Sequence, residues 1–408
     1  MRGLFFQNKK EYTSQSISKI TWDKFKKNRQ GNVLSVFLIL LIVLAALGYL
    51  ITPDQSPHAN EQLLEIRLQK PASQMTLLHV RKNQEVKKVN VFQKMLFGQI
   101  NPYKNIPISS YYFKNDSIVV ELFGESAPYN RLSFSLADVV APLKNNTEVI
   151  WEKQHITYTD IHNQTHSTGV KSLKETIQKK HIVTKRYWLG TDRYGRDVWS
   201  QLIIGARVSL SVGFISVSIA LLIGVFLGAI AGYFRSWVDD LIMWFINVVW
   251  SIPTLLLVIA ISFVLGAGFW QIFVAIGLTM WVDIARVVRG QVISIREKEF
   301  VEASKALGFR PLTIIFKHIL PNISGTIVVI SASNFSSAIL TEAGLSFLGI
   351  GVQPPMPSWG TMIKENYAYI ILDYAYLALI PGVAIMLLVL TFMLLGNVLR
   401  DVMDVKET

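Results

Sequence analysis

Long runs without charge limit most severely what this chain can fold into. Residues 33–51 and 208–234 contain no Asp, Glu, Lys or Arg, and neither do residues 241–265 and 375–399. Residues 269–285 and 323–350 repeat the pattern with one acid each, Asp283 and Glu342. A run of roughly 18 or more such residues can cross the hydrocarbon layer as a helix, and a helix satisfies its own backbone there. The expected fold is therefore an α-helical polytopic membrane protein with six transmembrane helices.

Composition agrees. Of 408 residues, 51% are hydrophobic and only 17% charged, too apolar for an ordinary soluble enzyme. The net charge of +12 does not call for nucleic acid, because the basic residues gather at 2–29 and 286–317, beside apolar runs. Cytoplasmic loops of membrane proteins carry such an excess. There is no cysteine, so disulfides, thiolate nucleophiles and Cys-based zinc sites are excluded.

Residues 1–32 carry Lys9, Lys10, Lys19, Lys24, Lys26, Lys27 and Arg29 before a run too long for a signal-peptide core. We expect them in the cytoplasm, followed by a retained helix at 33–51. Six crossings return the C-terminus with Arg400 to that side. They also place Arg289, Arg296, Lys298, Lys305 and Arg310 there, in or beside a loop spanning 291–322. Residues 52–185 form an extracytoplasmic insert. In it, "SIVVELF" (117–123) and "EVIWEKQHITYTD" (148–160) read as strands between Pro- and Asn-rich turns, and "SLKETIQKK" (172–180) as a short helix capped by Ser172 with Glu175 three residues on. More than a hundred residues can bury a core of their own, so the insert reads as α+β. Residues 186–408 hold the remaining spans.

The loop contains "EFVEASKALGFRPLTIIFKHILPN" (299–322). On a helix Phe300, Ala303, Ser304 and Leu307 align in one narrow stripe, with Glu297, Lys298, Glu299, Glu302 and Lys305 elsewhere and Lys298–Glu302 spaced for an ion pair. Gly308 suits a helix stop and Pro311 the first turn of a second helix. Three acids within six residues disfavour an amphipathic helix on anionic headgroups, so a groove on another protein is the better partner.

Glu302-Ala303-Ser304, Gly308 and Leu320-Pro321 resemble the EAA signature of ATP-binding cassette importer permeases, E-A-A-x3-G-x9-I-x-L-P, with Ser304 for the second Ala and His318 at the usual Ile. "LGTDRYGRDVWSQLIIGARVSLSVG" (189–213), "WVDIARVVRG" (281–290) and "TEAGLSFLGIGVQPPMPSWG" (341–360) are similar to the C-type subunit of dipeptide/oligopeptide permeases. The resemblance covers the first span and everything from about 185 onward; the long insert departs from the family's short loop. It implies a non-catalytic permease subunit of a bacterial cytoplasmic (inner) membrane importer for di- or oligopeptides. The implied partners are a homologous second permease subunit, cytoplasmic cassette ATPases, an extracytoplasmic substrate-binding protein and the bilayer. By the same resemblance Glu302 meets a basic residue of the ATPase, Ala303 and Ser304 allow close approach, and Gly308 sets the bend. The chain contains no Gly-Lys pair, so it has no phosphate loop of its own. No cofactor is expected.

Polar residues within the spans are the remaining candidates. Glu342, near Ser336, Ser337 and Thr341, either lines the passage or bonds neighbouring helices. Asn247, Ser251 and Pro253 mark a kink and a polar face that borders the pore or packs helices. Asp283 is spaced to pair with Arg286, and Asp192 and Asp197 with Arg193 and Arg196 on a wet surface. His155, His162 and His166 lie close together in strand and loop without supporting Cys or a paired acid arrangement, so we expect surface histidines and no metal. A membrane-anchored scaffold, sensor or enzyme acting through the insert is the alternative. H-E-x-x-H and G-x-S-x-G are both missing.

Overall fold

The computed structural model describes residues 17–87, 89–124, 130–144, 149–152, 154–266 and 268–403, with side chains from residue 21 onward. Lys9 and Lys10, and Glu148 and Lys153 of the second strand segment, lie outside the described residues. Helix α1 (Ile17–Lys27) leads into α2 (Arg29–Ile51), which starts ahead of residue 33 because Asn28 caps it, its Oδ1 accepting from Gly31 N at 2.9 Å. Beyond the insert come α6 (Val198–Phe234), α9 (Phe269–Arg296), α13 (Ser324–Leu348) and α15 (Tyr376–Met403). With α2, these make five helices long and apolar enough to cross a membrane.

The kink expected at Asn247, Ser251 and Pro253 in the run at 241–265 is a sharp break. The run divides into α7 (Ser236–Trp250) and α8 (Thr254–Leu265), bent by 92°. Pro253 lacks an N–H and pushes Ile252 out of helical geometry, so α7 stops before it. Counted as one broken span, the pair brings the total to six.

Helices α6 and α9 form the most extensive pairing of the bundle. Gly224, Gly228 and Gly232 repeat every four residues along α6, and a Cβ at each would lie 2.7, 2.5 and 2.7 Å from the carbonyls of Trp281, Ala285 and Arg289. This small-residue stripe lets the two backbones approach, which is how helices associate where lipid is as apolar as leucine.

The insert holds two antiparallel sheets. Strands β1 (Ser73–Arg81), β2 (Tyr103–Lys114), β3 (Ser117–Leu122), β4 (Arg131–Ser135) and β8 (Ile182–Tyr187) form one in the order β4-β3-β2-β1-β8; β5 (Ile150–Glu152), β6 (His155–Thr159) and β7 (Thr165–Gly169) form the other. Alternate residues Ile118, Val120 and Leu122 of β3 face inward, onto Leu136 and Ala137 of α4 (Leu136–Val140), Ile156 and Leu173. Each large side chain buried there contributes about 1.5–3 kcal/mol. Two boundaries differ from expectation. The sheet runs to Tyr187, past residue 185, because β8 must pair along β1. Helix α5 (Val170–Thr176) begins before Ser172, with Gly169 at the cap position, so Ser172 sits in its first turn and caps nothing.

The insert, which contains α3 (Val91–Phe97), stands at the end of the bundle where α2 finishes, the end that also carries α14 (Trp359–Asn366). The opposite end carries α10 (Glu299–Ala306), α11 (Pro311–Ile314), a π turn at Ile315–Ile319 and α12 (Leu320–Asn322).

Candidate functional site

Helix α10 presents two different faces. Val301 is fully buried and Ser304 nearly so, and with Ile314, Ile315, Ile319 and Ile323 the former belongs to the same apolar core as α6 and α9. Phe300, Ala303 and Leu307 are exposed, Leu307 at 76%, beside exposed Glu299 and Glu302. The expected stripe is thus split: Ser304 faces inward, away from any partner surface. Its hydroxyl donates to Phe300 O at 2.7 Å, which removes the cost of burying it. Lys298 occupies the N-cap position and forms no ion pair with Glu302 among the described residues.

Gly308 ends α10 at φ +76°, a conformation that disfavours any residue with a Cβ. Its N–H donates to Lys305 O at 3.0 Å and that of Phe309 to Ser304 O at 3.2 Å, the paired bonds of a Schellman stop. Pro311 starts α11 as expected. Just ahead of Pro321, which has no N–H to offer, the backbone widens to a π turn in which Leu320 N donates to Ile315 O. Leu320 and Pro321 therefore form the rigid elbow joining this segment to α13.

Within the bundle a cleft of about 260 Å³ opens at the break between α7 and α8, lined by Thr279, Asp283, Asn334, Ser337 and Thr341 among others. Ser337 is exposed to it; its hydroxyl and that of Thr341 point back to the carbonyls of Ser333 and Ser337. Asp283 is exposed and unpaired among the described residues, so the expected bond to Arg286 is absent. Arg286 instead turns to the broken span, donating to Asn247 Oδ1 at 2.8 Å and lying 4.0 Å over the Trp250 ring. Arg289 grips Asp239 through two bonds, 2.5 and 2.6 Å. Asn247 is thus committed to holding α7 on α9, while Ser251 lies exposed at the break and donates to Val248 O. The two arginine clamps were invisible in the sequence, which offered only acids and amides on one run and arginines on the next.

Glu342 is fully buried and does not line this cleft. Ser346 donates to its Oε1 at 2.6 Å, and the Ser346 hydroxyl accepts from Val352 N and faces Ser358, the residue that caps α14 with Thr361. Trp359 closes this corner, donating from Nε1 to Leu202 O at 2.9 Å.

The motif before α6 is buried rather than wet. Asp192, Arg196 and Asp197 are at most 5% exposed. Arg196 bonds Asp192 at 2.6 Å and also Glu365, joining the motif to α14. Burial pushes the Asp192 carboxyl up against the pull of that guanidinium. Asp197 pairs with Ser200, not with an arginine, and Arg193 lies over Tyr194. Thr191 accepts from Gln69 N and donates to Ile66 O, so the insert is strapped to the bundle through the same motif. In the insert, His166 bonds Asp160 at 2.9 Å while His155 and His162 stand apart on a strand and a turn.

Fold and site together define the membrane-embedded subunit of a transporter, with an ordered insert at one end and a partly apolar helical segment at the other. The family described as "Binding-protein-dependent transport system inner membrane component" matches residues 224–406. The dipeptide transport system permease protein DppC of Alkalihalophilus pseudofirmus is 44% identical over 220 residues, 54% of this chain and 72% of that protein. The glutathione transport system permease protein GsiD of Pectobacterium atrosepticum is 40% identical over 54% of this chain and 73% of that protein. The oligopeptide transport system permease protein OppC of Bacillus subtilis is 38% identical over 55% and 73%. The inward-facing MetNI methionine ABC transporter aligns with a TM-score of 0.43 at 21% identity, over 50% of this chain and 96% of that one. The chain belongs to the family of binding-protein-dependent transport system inner membrane components. It is the permease subunit of an ABC importer, a multi-pass inner-membrane protein.

Proposed function

We propose that this subunit passes peptides into the cytoplasm, driven by a separate cassette ATPase that seats on α10. One observation carries this reading: α10 buries Val301 in the bundle core while turning Phe300, Ala303 and Leu307 outward beside Glu302. A helix fixed on one face and apolar on the other transmits a push without absorbing it. Closure of an ATPase cleft around Leu307 would tilt the elbow at Leu320 and Pro321, and with it α13. Glu302 would meet a basic group at the rim, and Gly308 would keep the two short helices at their angle.

The basic residues flanking α9 and α10 support a cytoplasmic position for this segment and for both termini, with residues 52–185 outside. The cleft at the α7–α8 break is the proposed path. Asp283 suits a peptide's ammonium end, and Asn334, Ser337 and Thr341 suit its amides. A second permease subunit would close the open side, and an external binding protein would deliver cargo to the insert end. Three of the relatives above are named for dipeptide, glutathione and oligopeptide transport, which supports peptides as the cargo.

The test is purification of the tagged chain in mild detergent, with peptide uptake measured in cells. A cassette ATPase that co-elutes with the wild type and is lost with Glu302→Lys, together with loss of uptake, supports the reading. A chain that elutes alone while uptake persists would overturn it.

A further inference from the structure

Helix α3 has an apolar surface that neither sheet of the insert covers. It buries none of its residues, and Val91, Phe92 and Phe97 are 71, 66 and 71% exposed, with Ile100 just beyond at 61%. A water-facing helix of this composition would be a liability. Its position explains the surface. α3 packs along α2, and Arg207 of α6 ties the two together: it donates to Ala45 O and Ala46 O of α2 and to Met95 O and Leu96 O at the end of α3.

Those α2 carbonyls precede the helix end at Ile51 by five and six residues. At about 1.5 Å per residue, the last turn of α3 lies roughly 8 Å below the end of a spanning helix. Free carbonyls at a helix end are tolerable in water but expensive in hydrocarbon. Arg207 supplies the donors they need at that depth. The exposed face also continues the lipid-facing surface of α2, where Val36, Ile39, Val43 and Leu47 are exposed. Gln99 N bonds Gln55 O just past the end of α3.

We propose that α3 is seated in the lipid leaflet on the insert's side, a second anchor that holds the extracytoplasmic domain against the membrane beside α2. Its partner is the interfacial zone of the bilayer, with Phe92, Phe97 and Ile100 among the acyl chains. The inference rests on α2 being a span, and the experiment separates the two. Because this chain has no cysteine, cysteine-free partner subunits leave one label site per copy. Nitroxides are placed at Phe97→Cys, at Val43→Cys on α2 and at Lys114→Cys on exposed β2, in the complex reconstituted into phosphatidylethanolamine–phosphatidylglycerol nanodiscs. Accessibility to oxygen and to a soluble nickel chelate is then compared.

We expect Phe97 to favour oxygen as Val43 does, and Lys114 to favour nickel. Nickel preference at Phe97 with oxygen preference at Val43 places α3 in water and overturns the proposal alone. Protection of Phe97 from both reagents means that a protein partner covers it, which also overturns it. Nickel preference at Val43 would sink the spanning helix itself. Val91→Cys repeats the measurement should Phe97→Cys fail to assemble.

Discussion

The two ends of the bundle solve opposite problems. At the insert end, buried polar groups bond one another within the chain: Arg196 with Asp192 and Glu365, Thr191 with Ile66 and Gln69, and one oxygen of Glu342 with Ser346. At the other end α10 leaves Phe300, Ala303 and Leu307 in the open, with Glu302 beside them. One end buries its charged groups against one another at a cost in desolvation; the other leaves an apolar face uncovered, which the proposed ATPase would fill. The difference teaches that disruption at the first end should cost stability, and disruption at the second should cost transport.

The strongest way to break this contrast is Arg196→Ala. It strands two carboxylates, one deeply buried, and removing one partner of a buried ion pair costs about 3–5 kcal/mol. Thermal unfolding in detergent should show a large drop, with little folded protein recovered; an unchanged melting temperature would mean that the network is ornamental. Next comes Leu307→Asp, which leaves the core untouched. We expect at least about a tenfold loss of uptake, equivalent to about 1.4 kcal/mol, with unfolding unchanged and ATPase co-elution lost. A shift in melting temperature instead would erase the distinction between the ends.

Gly308→Ala sharpens it further. A Cβ meets nothing within 4 Å there, so only the φ of +76° resists the change. The cost of left-handed backbone, about 1–2 kcal/mol, should fall on the angle between α10 and α11. Uptake should drop a few-fold, and full activity would show that the angle does not matter to coupling.

The smallest effect concerns pH. Burial lowers the pKa of both His79 and His181, in the sheet and beside it, below the ordinary histidine value of 6.5. Nearby Arg81 and the lysines at 180 and 185 act in the same direction, while a bond from the His181 ring to His79 O opposes them for His181. The unfolded chain therefore takes up protons first as pH falls. Stability is full above 6.5 and declines below it, until the folded form is protonated as well. Hydrogen-exchange protection in the insert, corrected for the pH dependence of the intrinsic rate, should weaken between neutral and mildly acid pH while protection at α10 stays constant; a flat response in β1 would contradict this.

Much of this architecture was legible beforehand, because burial in lipid leaves a one-dimensional trace. Long uncharged runs announce spans, glycine every fourth residue on α6 announces a close helix contact, and alternation in β3 announces a sheet face. The coupling segment was legible through local rules, since Gly308 and Pro311 act on their own backbone. The face assignment of α10 was not: Ser304 and Ala303 are adjacent small residues, and only the burial of Val301 in the bundle core decides which one turns inward. Asp283 and Arg286 satisfied the spacing for a pair, yet Arg286 found Asn247 and Trp250 on a segment roughly forty residues away in sequence.

The sequence by itself determined which long runs are apolar enough to cross a membrane and where Gly308 and Pro311 stop and start helices. These follow from hydropathy, backbone preference and charge, all of which act over a few residues. Only the tertiary structure decided that α7 and α8 meet at a bend of 92°, that Glu342 is sealed while Asp283 faces a cleft, and that α3 lies beside α2. Those outcomes depend on which distant donor reaches a polar group first, and no local pattern records that.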